Sequence, residues 1–150
     1  MKKLFFLWTA VTLLAACHIN TPEPPKTEDT LSYEAYGRLT IPSSGFTKEN
    51  VRTQLILKEN NELDLYMYDV KFASAMPVTI DMLISGVGYA DEGGEIVFYG
   101  DSIIPTAGGK PYEKYIVTDL QGVITADSLF ISNKYGKTPS VYAGKLKIEN

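Results

Sequence analysis

From Tyr33 onward the chain alternates between polar and apolar positions in short runs, and turn residues separate the runs. A period of two marks strands that bury one face. The first run covers residues 34–41 and is stopped by Pro42-Ser43-Ser44-Gly45. In the second, residues 51–58, Val51, Thr53, Leu55 and Leu57 alternate with Arg52, Gln54, Ile56 and Lys58. Asn60-Asn61 follows, and asparagine tolerates the left-handed backbone that a tight hairpin needs. Residues 63–72 form the third run, with a connection over 74–77. In residues 78–89, Val78, Ile80, Met82 and Ile84 share one face. Gly93-Gly94 turns the chain into 95–104. Pro105 and Gly108-Gly109 mark a longer loop before 112–125, where Gly122 permits a bend. Ala126-Asp127-Ser128 leads into 129–135, and residues 136–139 separate that run from 140–148. No window shows helical periodicity.

Eight runs joined by short connections predict sequential antiparallel pairing. Strands this numerous, each with one apolar face, close into a barrel or split into a sandwich. The first and last runs share Gly-x-Leu-x-Ile, at Gly37-Arg38-Leu39-Thr40-Ile41 and Gly144-Lys145-Leu146-Lys147-Ile148. That favours closure, because a barrel makes the terminal strands neighbours and removes their open edges. The expectation is an all-β, eight-stranded antiparallel up-and-down barrel.

The first 32 residues follow a different pattern. Met1-Lys2-Lys3 is a basic head, Leu4 to Leu14 is an apolar run broken only by Thr9 and Thr12, and Ala15-Ala16-Cys17 follows. The run is too short to span a bilayer, which needs about 20 apolar residues. A leader ending in Leu14-Ala15-Ala16-Cys17 resembles the lipobox of bacterial lipoproteins. The resemblance implies removal of residues 1–16 and acylation of Cys17 with fatty acids such as palmitate, a stable anchor when two or more chains are attached. Residues 17–32 then form a tether. Pro22, Pro24 and Pro25 are mixed with polar residues, too little apolar surface to order the segment. Extended as polyproline II, residues 18–30 reach about 40 Å from the membrane.

Three stretches carry a second resemblance: Tyr36-Gly37-Arg38-Leu39-Thr40, Met76-Pro77-Val78-Thr79-Ile80 and Val141-Tyr142-Ala143-Gly144-Lys145-Leu146. With these the chain resembles the calycin-like, distantly lipocalin-like, β-barrel domain of small bacterial lipoproteins, over residues 33–150 or nearly so. The resemblance implies an eight-stranded barrel in an envelope lipoprotein, held in the outer membrane through Cys17. It brings no catalytic or ligand-binding signature. The Gly-x-Trp motif of classical lipocalins is absent, since the only tryptophan is Trp8 in the leader.

Charge narrows the partners. The chain carries 14 basic and 18 acidic residues, a net charge of −4. Loss of Lys2 and Lys3 with the leader takes this to −6. Such a balance, without a basic run, speaks against nucleic acid and anionic membrane surfaces as partners. With Cys17 acylated no thiol remains for a disulfide, a metal or nucleophilic catalysis.

Catalytic chemistry finds little support. The only histidine, His18, lies on the tether, so the barrel lacks the commonest general base and transition-metal ligand. Carboxylates such as Asp64, Asp69, Asp81, Asp101, Asp119 and Asp127 are scattered, and a hydrolase built on them is the least favoured reading. Gly136-Lys137-Thr138 ends like a phosphate-binding loop, but Ile131 stands where its first glycine belongs. Gly86-Val87-Gly88 has Asp91 in place of the third dinucleotide-binding glycine. Neither cofactor nor metal is expected, and the chain is read as a non-enzyme.

The tyrosines number 10, and Tyr66, Tyr68, Tyr89, Tyr99, Tyr112 and Tyr115 fall in or beside strands. Tyrosine suits half-buried strands, and its polar tip also suits contact with proteins or sugars. Asp29-Thr30-Leu31, Asp101-Ser102-Ile103 and Asp127-Ser128-Leu129 match an Asp-Ser/Thr-apolar acceptor for O-glycosylation, with Thr30 on the tether the best placed. The expected role is a binding or interaction module for another envelope protein or a glycan. The alternative is a lipocalin-like carrier of a small apolar ligand, and the space left in the barrel discriminates between them.

Overall fold

A computed structural model describes residues 30–147. The cleavage and acylation expected at Cys17 lie outside the described residues. The strands are β1 (Ser32–Ile41), β2 (Phe46–Leu57), β3 (Glu62–Val70), β4 (Ile80–Asp91), β5 (Ile96–Gly100), the two-residue β6 (Thr106–Ala107) and β7 (Lys110–Pro111), β8 (Val117–Ile124), β9 (Ser128–Tyr135) and β10 (Thr138–Leu146). A single 3-10 turn, Glu113–Tyr115, precedes β8, and no α-helix occurs among the described residues.

Each long strand pairs antiparallel with the next, and β1 pairs with β10. The result is a closed eight-stranded up-and-down barrel of β1, β2, β3, β4, β5, β8, β9 and β10. Closure puts Gly37 opposite Gly144 and Leu39 opposite Tyr142. The two Gly-x-Leu-x-Ile stretches therefore meet at their glycines, and from there their described residues run in opposite directions.

The alternation read from the sequence is the inside–outside alternation of the barrel. Val51, Thr53, Leu55 and Leu57 are buried, while Arg52, Gln54 and Ile56 are half-buried on the outer face. Asn61 does take the left-handed conformation, with φ 58°. Three expectations change. Val78 stands outside β4 and is exposed, because the strand starts at Ile80. The run 95–104 ends at Gly100, where Asp101-Ser102 turns and Ser102 has φ 56°. The run 112–125 is a strand only from Val117, and its bulge falls at Asp119, φ 52°, and not at Gly122. Gly122 instead lies under the Phe98 ring, which occupies the space its Cβ would need.

Bulges bend the wall at four places. The pairing registers slip beside Asn50, Asp69, Gly86 and Asp119, each with positive φ. Glycine, asparagine and aspartate are the residues that adopt this conformation most easily. Two aspartates secure such bends: Asp81 Oδ1 accepts from the Asp69 N–H at 2.9 Å, and Asp101 Oδ1 from the Asp119 N–H at 3.1 Å.

The two ends differ. Where the described chain begins, the turns 58–61, 92–95 and 125–127 are short. At the opposite end lie the long connections 71–79 and 101–116, besides the turns 42–45 and 136–137. A cluster of aromatic rings closes this loop end: Phe72 packs on Tyr115 and Tyr135 at centroid distances of 4.8 and 4.5 Å, and Tyr112 on Tyr115 at 5.0 Å.

Candidate binding surface

The interior decides whether a ligand can sit inside the barrel. Leu39, Ile41, Leu55, Leu63, Leu65, Met67, Met82, Ile84 and Leu120 project inward and are at most 1% exposed. A void wide enough for water leaves accessible surface on the side chains around it, so these side chains pack against one another. Tyr135 and Tyr142 cross the interior as well. The Tyr135 hydroxyl points to Met67 Sδ at 3.0 Å, and Tyr142 donates to the Val51 carbonyl at 3.1 Å. Burial pushes both phenols above the usual tyrosine range. Ser140 donates to Asn133 Oδ1 at 2.8 Å. Thr53 Oγ1 and Asn133 Nδ2 are buried without a hydrogen-bond partner among the described residues.

The outer face of β9, β10, β1 and β2 holds a groove of about 580 Å³. Phe130, Ala143 and Arg38 lie side by side across three strands, and so do Ser128, Lys145, Tyr36 and Arg52 across four. Small residues Gly37, Ala143 and Gly144 form its floor. Tyr36 and Phe130 stand as aromatic walls, 47% and 45% exposed. Ion pairs flank them: Arg38 with Glu49 at 2.5 Å, and Lys145 with Asp127 at 2.8 Å. Lys145 also donates to Ser128 at 3.1 Å.

The tyrosine-rich face continues over β2 and β3. Glu34 accepts from Arg52 at 2.6 Å, Tyr36 at 2.9 Å and Lys147 at 3.3 Å. The Arg52 hydrogen bond, with those of Tyr36 and Lys147, holds the Glu34 carboxyl down at about 2. The Arg52 guanidinium covers the Tyr68 ring at 4.6 Å, and Tyr68 stacks on Tyr66 at 6.4 Å. Tyr36 is thereby fixed through Glu34 while its ring faces solvent. The sequence offered six tyrosines chiefly as half-buried strand residues, with contact as the alternative, and did not single out Tyr36 or Phe130 for contact. Their mark is the alternation itself: both are large rings at outward positions.

The remaining sequence candidates are dispersed. Thr30 is exposed at the start of the described chain. Ser102 is exposed and bonds to Asp101, whereas Ser128 is half-buried between Asp127 and Lys145. Gly136-Lys137 is the two-residue turn between β9 and β10, and Gly86 sits at a bulge. No cluster of three or more His, Cys, Asp or Glu suited to a metal exists among the described residues. No helix among them is long and apolar enough to cross a membrane. No family model, curated protein or solved structure matches the chain.

Proposed function

We propose that this chain is a lipid-anchored bacterial envelope protein of the calycin-like kind, held through Cys17, whose barrel is a non-catalytic module binding a glycan on its outer face. The groove between Tyr36 and Phe130 carries this reading. Sugar rings present apolar C–H faces that suit flat aromatic walls, and hydroxyls that suit ion pairs able to donate and accept. The small floor lets a ring lie close to the sheet. The packed interior favours this outer surface over a carrier of apolar ligands.

Co-sedimentation of the full chain with purified peptidoglycan, and separately with envelope polysaccharide, tests the reading. Tyr36→Ala and Phe130→Ala each lower retention at least about tenfold if the rings carry the contact. Retention unchanged in both variants, or absent in the unaltered chain, overturns the glycan assignment.

A further inference from the structure

The ionic groups of the barrel are sorted by end. Arg38, Arg52, Lys58, Lys134, Lys145 and Lys147 are in ion pairs. The other described cations are Lys48, Lys71, Lys110, Lys114 and Lys137, and none has a carboxylate within ion-pair distance among the described residues. All five lie toward the loop end. Lys71, Lys114 and Lys137 converge there, since Phe72 packs on Tyr115 and the Gly136 N–H donates to the Ile116 carbonyl at 2.7 Å.

Most carboxylates near them are engaged. Asp81 and Asp101 accept backbone N–H groups, Asp69 accepts from Thr79 at 3.1 Å and Asp119 pairs with Lys134, which leaves Glu113. The tether end is the reverse. Glu59, Glu62, Asp91, Glu92 and Glu95 crowd its turns, with no cation paired to any of them among the described residues. The engaged carboxylates of the loop end keep their charge, so that end is close to balanced, with seven described cations against six acids, whereas the tether end has four against eight. What sets the loop end apart is its lysines unpaired among the described residues, free to meet a partner.

The same end exposes apolar side chains. Val78 is 65% exposed in the connection 71–79, and Ile104 is 45% exposed in 101–116. We infer that the loop end docks a protein partner with an acidic surface, its carboxylates meeting the lysines and its apolar residues covering Val78 and Ile104. Protein interfaces combine apolar contact with a charged, solvated rim, and complementary charge speeds encounter. A polyanionic glycan has no use for the aliphatic side chains. This surface is separate from the Tyr36–Phe130 groove. Only its direction, away from the membrane, rests on the anchor reading, because the described chain starts at the acidic end.

The test uses the full chain in zwitterionic micelles and three probes. They are a soluble peptide alternating Glu and Leu, a sulfated polysaccharide of matched charge, and vesicles of phosphatidylglycerol compared with phosphatidylcholine. An acyl anchor counts equally in both vesicle types. The peptide binds most tightly, and its amide shift changes centre on Lys71, Lys114 and Lys137. The combined Lys71→Glu, Lys114→Glu and Lys137→Glu variant loses at least about tenfold in peptide affinity, and Val78→Ser about threefold. Glu59→Lys with Glu92→Lys, at the other end, changes it by less than about twofold.

Shift changes away from the lysines overturn the inference, and they do so in the unaltered protein. Tighter binding of the polysaccharide overturns it in favour of a glycan. A preference for phosphatidylglycerol that the lysine variant abolishes overturns it in favour of a membrane surface. Head-to-tail oligomers at low salt without any probe overturn it in favour of self-association. None of these outcomes touches the groove, whose reading stands or falls with Tyr36 and Phe130.

Discussion

Tyr142 on β10 and Val51 on β2 are separated by β1, yet the Tyr142 hydroxyl donates to the Val51 carbonyl at 3.1 Å. The ring reaches that far because it lies over Gly144, where a Cβ would stand 2.5 Å from the hydroxyl. Gly37, opposite Gly144, lies between the two and leaves the path clear. Phe98 over Gly122 repeats the device on the other side of the barrel. Rings laid across strand glycines fill the space the glycines leave and allow the wall to curve.

Gly144→Ala therefore forces the Tyr142 ring aside and costs about 1–3 kcal/mol. Gly37→Ala costs more, since its Cβ meets the backbone of Ala143 and Gly144. Tyr142→Phe keeps the ring but loses the donor, at about 1–2 kcal/mol. Gly88→Ala is the contrast: its Cβ meets only the ring of Tyr99, which is 60% exposed and free to shift. Urea denaturation should rank Gly37→Ala as most costly and Gly88→Ala as least.

Asn50 sits at the β1–β2 bulge with φ 56° and is exposed. Alanine there has to enter the left-handed region without the local help an asparagine side chain gives, at about 1 kcal/mol. Asn50→Gly suits the conformation and stays within about 0.5 kcal/mol of the parent. Equal melting temperatures for the alanine and glycine variants would mean that the bulge relaxes when the residue changes.

The barrel was legible because period-two alternation and turn chemistry are local signals. Val51, Thr53, Leu55 and Leu57 announce a buried face, and Asn60-Asn61 announces its turn. Ile104 and Val78 misled for the same reason: apolar residues beside a strand extend the pattern even where the chain has already turned. The bulge at Asp119 stayed hidden, because the Asp101 carboxylate that receives its N–H lies 18 positions away in the sequence. The groove and the lysine end were legible only in part. Tyr36 and Phe130 are 94 positions apart, and Lys71 and Lys137 meet only because the strands bring their loops to one end.

Glu34 gives the acid limb of stability a defined component. Its carboxyl is held at about 2, against an ordinary 4.5, chiefly by the Arg52 hydrogen bond. A carboxylate with a depressed value favours the fold above its unfolded value, and that contribution fades as pH falls from about 4.5 toward 2. Glu34→Gln should thus melt below the parent at pH 7, and the gap should close over this window. A gap that persists at pH 2 would show that the substituted amide fails for reasons of packing and not of charge.

The proposed anchor makes the most direct demand on the living protein. The short turns by which the barrel's chain begins carry Glu59, Glu62, Asp91, Glu92 and Glu95, so anionic headgroups repel the end nearest the tether. Attraction by charge at that end cannot hold the protein to a membrane, whereas the proposed acyl chains can. Cys17→Ser should abolish fatty-acid labelling and move the protein to the soluble fraction, with its β-type circular dichroism intact. High salt should leave the unaltered protein on the membrane if acyl chains hold it there. Release by salt, or undiminished labelling in Cys17→Ser, would remove the anchor and with it the reason to expect the lysine end to face outward.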